Sequence, residues 1–232
     1  MKTVPAKSFS RQLWEWSKSI VIGFALFLVI RAFLIQTWVI TSGSMEGTLL
    51  VGDLLILNKV AYGAAVPGTE FRLPGYTQPS RRDVVVFRAH HDSLDVIKRI
   101  IGLPGDTLQM RGGELYRNGQ AQAEPYVRHT DKEGDGMHPW MEWQIEHLTG
   151  DTNPSTYRPT RDNWGPIVVP ENRYFLLGDN RDESLDSRYW GFLDPARVKG
   201  KAAIVYYSYE RDSLKPFPWV HGRWNRIGDR IL

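Results

Sequence analysis

The sequence predicts a mainly β protein: an antiparallel β-sheet domain with an inserted β-rich subdomain, preceded by one N-terminal transmembrane helix. Three observations carry this. An apolar run stands near the N-terminus, short β-type runs separated by turn signals follow it, and the texture changes between about residues 111 and 170. At 232 residues the chain suits one domain of ordinary size behind such a helix.

The helix comes first in the chain. Ser19 to Ile30 reads SIVIGFALFLVI without a charge, and after Arg31 the run resumes as AFLIQTWVI. A bilayer core asks for about 20 mostly apolar residues. Residues 17–37 supply them if Arg31 reaches outward along its stem. Trp14 and Trp16 on one side and Trp38 on the other resemble interfacial belts. Lys2, Lys7, Arg11, Lys18 and Arg31 face only Glu15 within residues 1–35, a net of +4, so the remainder of a chain that totals +3 nets −1. This bias places residues 1–16 in the cytoplasm and residues 38–232 outside. A cleaved signal peptide is one rival reading, but it asks for small residues where Arg31, Phe33, Leu34 and Ile35 stand. A buried helix of a soluble protein is the other.

Beyond residue 40, β-type runs occur at Leu54–Leu57, Asp83–Phe87, Val96–Ile101, Thr107–Met110, Tyr174–Leu177 and Ala202–Tyr207. Val51-Gly52-Asp53, Pro104-Gly105-Asp106, Gly112-Gly113, Asn118-Gly119 and Gly178-Asp179-Asn180 punctuate them. Residues 111–170 are rich in Asp, Glu, Pro, Asn and Thr around Trp140, Trp143 and Trp164, and read as an insertion with short hairpins and a mobile portion near residues 130–136.

Composition excludes several functions. The positive charge sits beside the apolar run, which leaves nucleic-acid binding without support. The chain has no Cys, which rules out disulfides, thiolate nucleophiles and Cys metal sites. His90, His91, His129, His138, His147 and His221 show no metal-binding spacing, and the His90-His91 pair reads as a solvated loop; no metal and no cofactor is expected.

Three segments offer chemistry. ITSGSMEGTLL, Ile40 to Leu50, sets Ser42 and Ser44 just past the apolar run. A serine nucleophile needs a proton acceptor, and no His stands in a promising segment. A lysine serves only when burial or nearby positive charge lowers its pKa. Lys98 lies in LDVIKRIIGLPGD, sharing a strand face with Val96 and Ile100 while Ile97 and Arg99 take the other. An edge-strand lysine that blocks aggregation is the plain alternative. The third segment, LLGDNRDESLDSRYWGFLDP, is a polar turn holding Ser184, Asp186, Ser187 and Arg188; it reads equally as a self-satisfying turn network or as a site loop.

Together SGSMEGTLLVGDLLILNK, RRDVVVF…VIKRIIGLPGD and GDNRDESLDSRYWGF resemble the bacterial type I signal peptidases, membrane-bound Ser/Lys proteases, over residues 20–110 and 170–208. The resemblance implies Ser44 as nucleophile and Lys98 as general base. It implies an oxyanion hole from the Ser42 hydroxyl and the Ser44 N–H. Ser184 would orient the lysine, the Asp186–Arg188 pair would support that loop, and Gly178, Asp179 and Asn180 would form the turn into it. By the same likeness Trp38, Ile40, Met45, Leu49 and Ile97 would line shallow pockets for small residues; the plain reading of each is a core residue. The partners implied are secretory precursors with signal peptides and membrane lipid, at the bacterial cytoplasmic membrane, with a monomer expected. The chain departs from the family at Glu46 and at Gly47, where Pro is usual, and shows one span where some members have two.

Other Ser/Lys hydrolases fit less well. Self-cleaving repressors carry a DNA-binding module, and penicillin-recognising enzymes use S-x-x-K on one helix, whereas Ser44 and Lys98 are 54 positions apart. An anchored, non-catalytic binding domain is the remaining alternative. Near the C-terminus Phe217, Trp219 and Trp224 mix with Arg223, Arg226 and Arg230, which suits either a lipid interface or a terminal strand with solvated arginines.

Overall fold

The computed structural model describes residues 9–66, 68–69, 71–89, 94–131, 136–210 and 221–232. His90 and His91, most of the segment expected to be mobile, and Phe217 and Trp219 lie outside the described residues.

Apolar residues at every second position need a sheet with one face on a core, and the chain after residue 34 has that pattern. Along Asp53–Asn58 (β2), Asp53, Leu55 and Leu57 are buried while Leu54, Ile56 and Asn58 are half-buried. β2 lies beside Ile35–Val39 (β1) in a six-stranded sheet that also holds Val84–Arg88 (β3), Asp95–Gly102 (β4), Phe175–Leu177 (β9) and Val198–Ser208 (β10). Its order is β1-β2-β10-β3-β4-β9, and every neighbouring pair is antiparallel. Thr107–Arg111 (β5), Glu114–Arg117 (β6), Gln120–Ala121 (β7) and Trp164–Val168 (β8) make a second sheet in the order β7-β6-β5-β8. This sheet starts at Thr107, a little before the expected boundary at residue 111, because Leu108 pairs with Ile167 as well as with Arg117.

The two sheets share a core. Leu108, Met110, Leu115, Trp164 and Ile167 of the small sheet pack with Ile101, Phe175 and Leu177 of the large one. Two further clusters lie on the large sheet, one holding Val96, Ile100 and Leu176, the other Ile40, Met45, Leu49, Leu55 and Ile97. Val96 and Ile100 thus separate from Ile97, as strand alternation requires.

At the N-terminus the structure revises the expected span. A helix runs Phe9–Val29 (α1), followed by a π-type turn Ile30–Leu34, so helical structure begins earlier than residue 17 and ends before residue 37. Residues 35–37, assigned to the span, belong instead to β1, whose backbone pairs with β2 from Ile35↔Asn58 to Val39↔Leu54. A β-branched, ladder-paired segment is more stable there than a further helical turn. Trp38 accordingly sits in the sheet, half-buried. Arg11, Glu15 and Lys18 occupy the first half of α1, and among the described residues no helix is long and apolar enough to cross a membrane.

Candidate active site

Three segments converge at one end of the large sheet. After β1 the chain passes through extended Ser42 into a 3₁₀ turn, Gly43–Met45, which presents Ser44. Lys98 lies in the middle of β4, opposite Val85 of β3. The polar turn after β9 returns alongside, and the Asn180 N–H donates to the Ser44 carbonyl at 3.2 Å.

Ser44 Oγ and Lys98 Nζ are 2.6 Å apart, and both residues are buried, at 6% and 3% exposure. Burial, the largest influence, brings the Lys98 amine down to about 8 against Asp186 and Asp179, which raise it, with Arg188 acting in the same direction as burial. The ammonium form has lost its water, so the neutral amine gains in population. Ser42 Oγ stands 3.4 Å from Ser44 Oγ. The Ser44 N–H lies in the first turn of a 3₁₀ helix, where amides have no partner within the helix.

The loop behind the lysine is held by a buried ion pair. Arg188 grips Asp186 through Nε and Nη2, each at 2.8 Å, and both side chains are fully buried. Burial alone would raise the Asp186 carboxyl, but Arg188 and the Gly178 N–H outweigh it and hold the group below its usual range. Asp186 also caps the short helix Ser187–Trp190 (α2). The hydrogen bond expected from Ser184 to the lysine is not made. The Ser184 hydroxyl is buried beside the Asp186 carboxyl, whose charged form it favours, and sits over the Cα of Gly178, where any side chain would collide with it. Lys98 has turned its amine to Ser44.

The pocket residues divide. Trp38, Ile40, Ser42, Val96 and Ile97 line a cleft of about 120 Å³ next to the serines. Met45 and Leu49, expected in the pocket walls, are fully buried in the core below. The reason is local: Leu49 N–H bonds the Met45 carbonyl at 2.9 Å, and that turn points both side chains inward.

Gly47 has φ +126°, a value closed to proline, whose ring fixes φ near −65°. The departure from the resembling family is therefore a backbone requirement of this chain.

Some contributors were not read from the sequence. Arg99, next to Lys98, is wholly buried and binds Asp179 through two bonds of 2.8 and 2.7 Å, with Thr48 Oγ1 at 2.8 Å. The available signal was two adjacent cations inside an apolar strand. The C-terminal arginines are not free either: Arg226 reaches Asp53 at 2.6 Å and the Thr48 carbonyl at 2.9 Å, and Arg223 bonds Ser208 at 2.8 Å. Arg223 and Arg226 are half-buried in these pairs, whereas Arg230 and Trp224 are exposed. Among the described residues His129, Asp162 and Asp182 group ligand atoms within 4.8 Å, a cluster the sequence reading did not find. Arg161 already neutralises its carboxylates, at 3.2 Å from Asp162 and 3.4 Å from Asp182.

A family model described as signal peptidase, peptidase S26, matches residues 13–207. The chain belongs to this family. Among its relatives, the signal peptidase I of Bacillus licheniformis is 35% identical over 85% of this chain and 90% of its own length. That of Pseudomonas aeruginosa is 35% identical over 93% of this chain and 78% of its own. A crystal structure of a signal peptidase I from Enterococcus faecalis aligns over 54% of this chain and 97% of that one, with 32% identity and a TM-score of 0.36. The protein is thus an enzyme, a serine endopeptidase of the signal peptidase I type.

Proposed function

We propose that this family member is a membrane-anchored endopeptidase that removes N-terminal signal peptides from exported precursors after small residues, with Ser44 as nucleophile and Lys98 as general base. The observation that carries the reading is the buried 2.6 Å approach of Ser44 Oγ to Lys98 Nζ. The neutral amine takes the Ser44 proton as Oγ bonds to the scissile carbonyl carbon. Negative charge on the carbonyl oxygen is met by the Ser44 N–H and the Ser42 hydroxyl. The lysinium then gives its proton to the departing amine, leaving an acyl group on Ser44. Water, deprotonated by the same lysine, attacks the ester, and collapse returns the proton to Ser44.

The cleft of about 120 Å³ beside the serines has mainly apolar walls, Trp38, Ile40, Val96 and Ile97, which suit small uncharged side chains. The anchor proposal rests on α1. Ile20, Val21, Ile22, Phe24 and Leu26 are each 58–67% exposed, with basic residues ahead of them. An unpartnered apolar helix of this kind asks for lipid. In this reading the basic residues ahead of the apolar stretch keep the N-terminus in the cytoplasm and the catalytic face lies at the outer surface of the cytoplasmic membrane. The β domain built on residues 38–232 carries the chemistry, and the region 111–170 is its non-catalytic subdomain.

The test uses the full chain in detergent with a secretory precursor, comparing wild type, Ser44→Ala and Lys98→Ala. Both variants are expected to be inactive, and the wild-type rate is expected to rise with pH through a midpoint near about 8. Equal processing by all three proteins sinks the reading. Alkaline extraction of membranes should leave the chain in the pellet; release into the supernatant removes the anchor from it.

A further inference from the structure

Outside the dyad, one segment touches every part that brings Ser44 and Lys98 together. Residues 123–128 leave the small sheet and cross its partner as a strap. Arg82 Nη2 bonds the Ala123 carbonyl at 3.0 Å. Glu124 takes Arg181 Nη2 at 2.7 Å and the Tyr126 hydroxyl at 2.9 Å. Arg128 N–H donates to the Asp179 carbonyl at 2.9 Å, and its own carbonyl accepts from Arg181 N–H at 3.0 Å. The strap is thereby stitched onto the turn that follows β9.

Its centre, Tyr126, meets two further pieces. The Arg99 guanidinium lies over the Tyr126 ring at 3.9 Å. Arg99 follows Lys98 in β4 and holds Asp179 and Thr48, so the ring covers the bolt joining the lysine strand to the serine turn. A cation over an aromatic face and shielded from water is held more firmly than either alone. On the other side the Tyr126 carbonyl occupies the space that a Cβ at Gly47 would need. Gly47 at φ +126° is the residue that lets strap and serine turn come so close.

We infer that Tyr126 is a positioning residue for proteolysis: from the inserted region it clamps the Gly47 turn and Arg99 together and so sets the approach of Ser44 to Lys98. The inference deepens the proposed function and rests on the reading of Ser44 and Lys98 as the reacting pair. It also makes the small sheet a working part of the site, because its strap is bound to Arg99, to the turn after β9 and to the Gly47 turn.

The consequences separate a clamp from a mere structural prop. A displacement of about 1 Å between nucleophile and base costs on the order of 10²-fold in rate. None of residues 123–128 lines the substrate cleft of Trp38, Ile40 and Ile97, so KM should stay. The charged groups acting on Lys98 are Asp186, Arg188 and Asp179; the first two stay in place when the strap loosens, and what changes is access of water. Water around the amine favours its charged form, so the midpoint of the pH–rate curve should climb.

The experiment measures kcat, KM and pH–rate curves of the full chain in detergent on a secretory precursor for wild type, Ser44→Ala, Tyr126→Ala and Tyr126→Phe. Tyr126→Ala is expected to lose about 10- to 100-fold in kcat, with KM unchanged and the pH midpoint moved upward. Tyr126→Phe keeps the ring over Arg99 and should restore most of the rate. Wild-type kcat and midpoint in Tyr126→Ala, with Ser44→Ala inactive, overturn the clamp and leave the dyad intact. Wild-type processing by Ser44→Ala overturns the dyad instead. If Tyr126→Ala does not fold, Gly47→Ala presses on the same contact from the serine side; an unchanged kcat there overturns the clamp.

Discussion

Lys98→Met should make the protein more stable at pH 6 while abolishing its activity. Methionine keeps the unbranched apolar stem and removes the amine. The unfolded lysine titrates near 10.5 and the folded one near about 8, so folding discourages the charged form. Between these values the unfolded state holds more protons, and wild-type stability rises with pH. The penalty is absent above 10.5 and fully present below about 8. Its size follows from the gap between the two values, about 3 kcal/mol, at a site too buried for solvent screening to reduce it much. The lost contact to Ser44 takes back about 1 kcal/mol. The net expectation at pH 6 is a variant more stable by about 2 kcal/mol, an advantage that shrinks through pH 8–10 and then reverses slightly. Urea unfolding followed by Trp fluorescence at pH 6, 8 and 10 reads this directly. A stability difference that is flat across that range would refute the claim that Lys98 is driven neutral by burial.

Two other substitutions address the reaction and its selectivity. Ser42→Ala removes a hydroxyl 3.4 Å from Ser44 Oγ and is expected to lower kcat by roughly 10²-fold with KM unchanged; steady-state kinetics showing a rise in KM alone would assign Ser42 to binding. Trp38→Ala enlarges the cleft beside Ile40 and Ile97, and a peptide library should then show cleavage after sequences with larger residues three positions before the cut; an unchanged preference counts against Trp38 as a pocket wall.

How much of this was legible in the chain varied with the kind of information needed. Each of the six β-type runs read from alternation and turn signals coincides with a strand, with Asp83 and Tyr174 lying one residue ahead of theirs, because that pattern and the fold have the same local cause. Residues 35–37 were read as helix, since apolar composition alone does not distinguish lipid from a sheet, and only the pairing with β2 decides it. Ser44 and Lys98 were readable as candidates from their segments; their meeting depends on strand order, which brings β4 beside β9 and the serine turn. Met45 and Leu49 went to the core while Ile40 and Ile97 reached the cleft, a division that hydrophobicity does not encode. Gly47 was visible as a departure, but its cause, a carbonyl from Tyr126 many residues away, was not.

The source of the lysine's basicity can be narrowed further. Either desolvation or a neighbouring cation lowers a lysine pKa, and the sequence left both open. In the fold the charges near Lys98 come in matched buried pairs: Arg188 with Asp186, and Arg99 with Asp179. Buried pairs of this kind add little net stability, so their effect here is to lock loops while presenting almost no net charge. Asp186 and Asp179 raise Lys98, Arg188 lowers it, and burial is the largest influence. The amine is therefore neutralised chiefly by dryness. A bound apolar substrate covering the cleft and Ser42 removes still more water from the site, which pushes the amine further toward its neutral form. The proposed base is then most available when a scissile bond is in place.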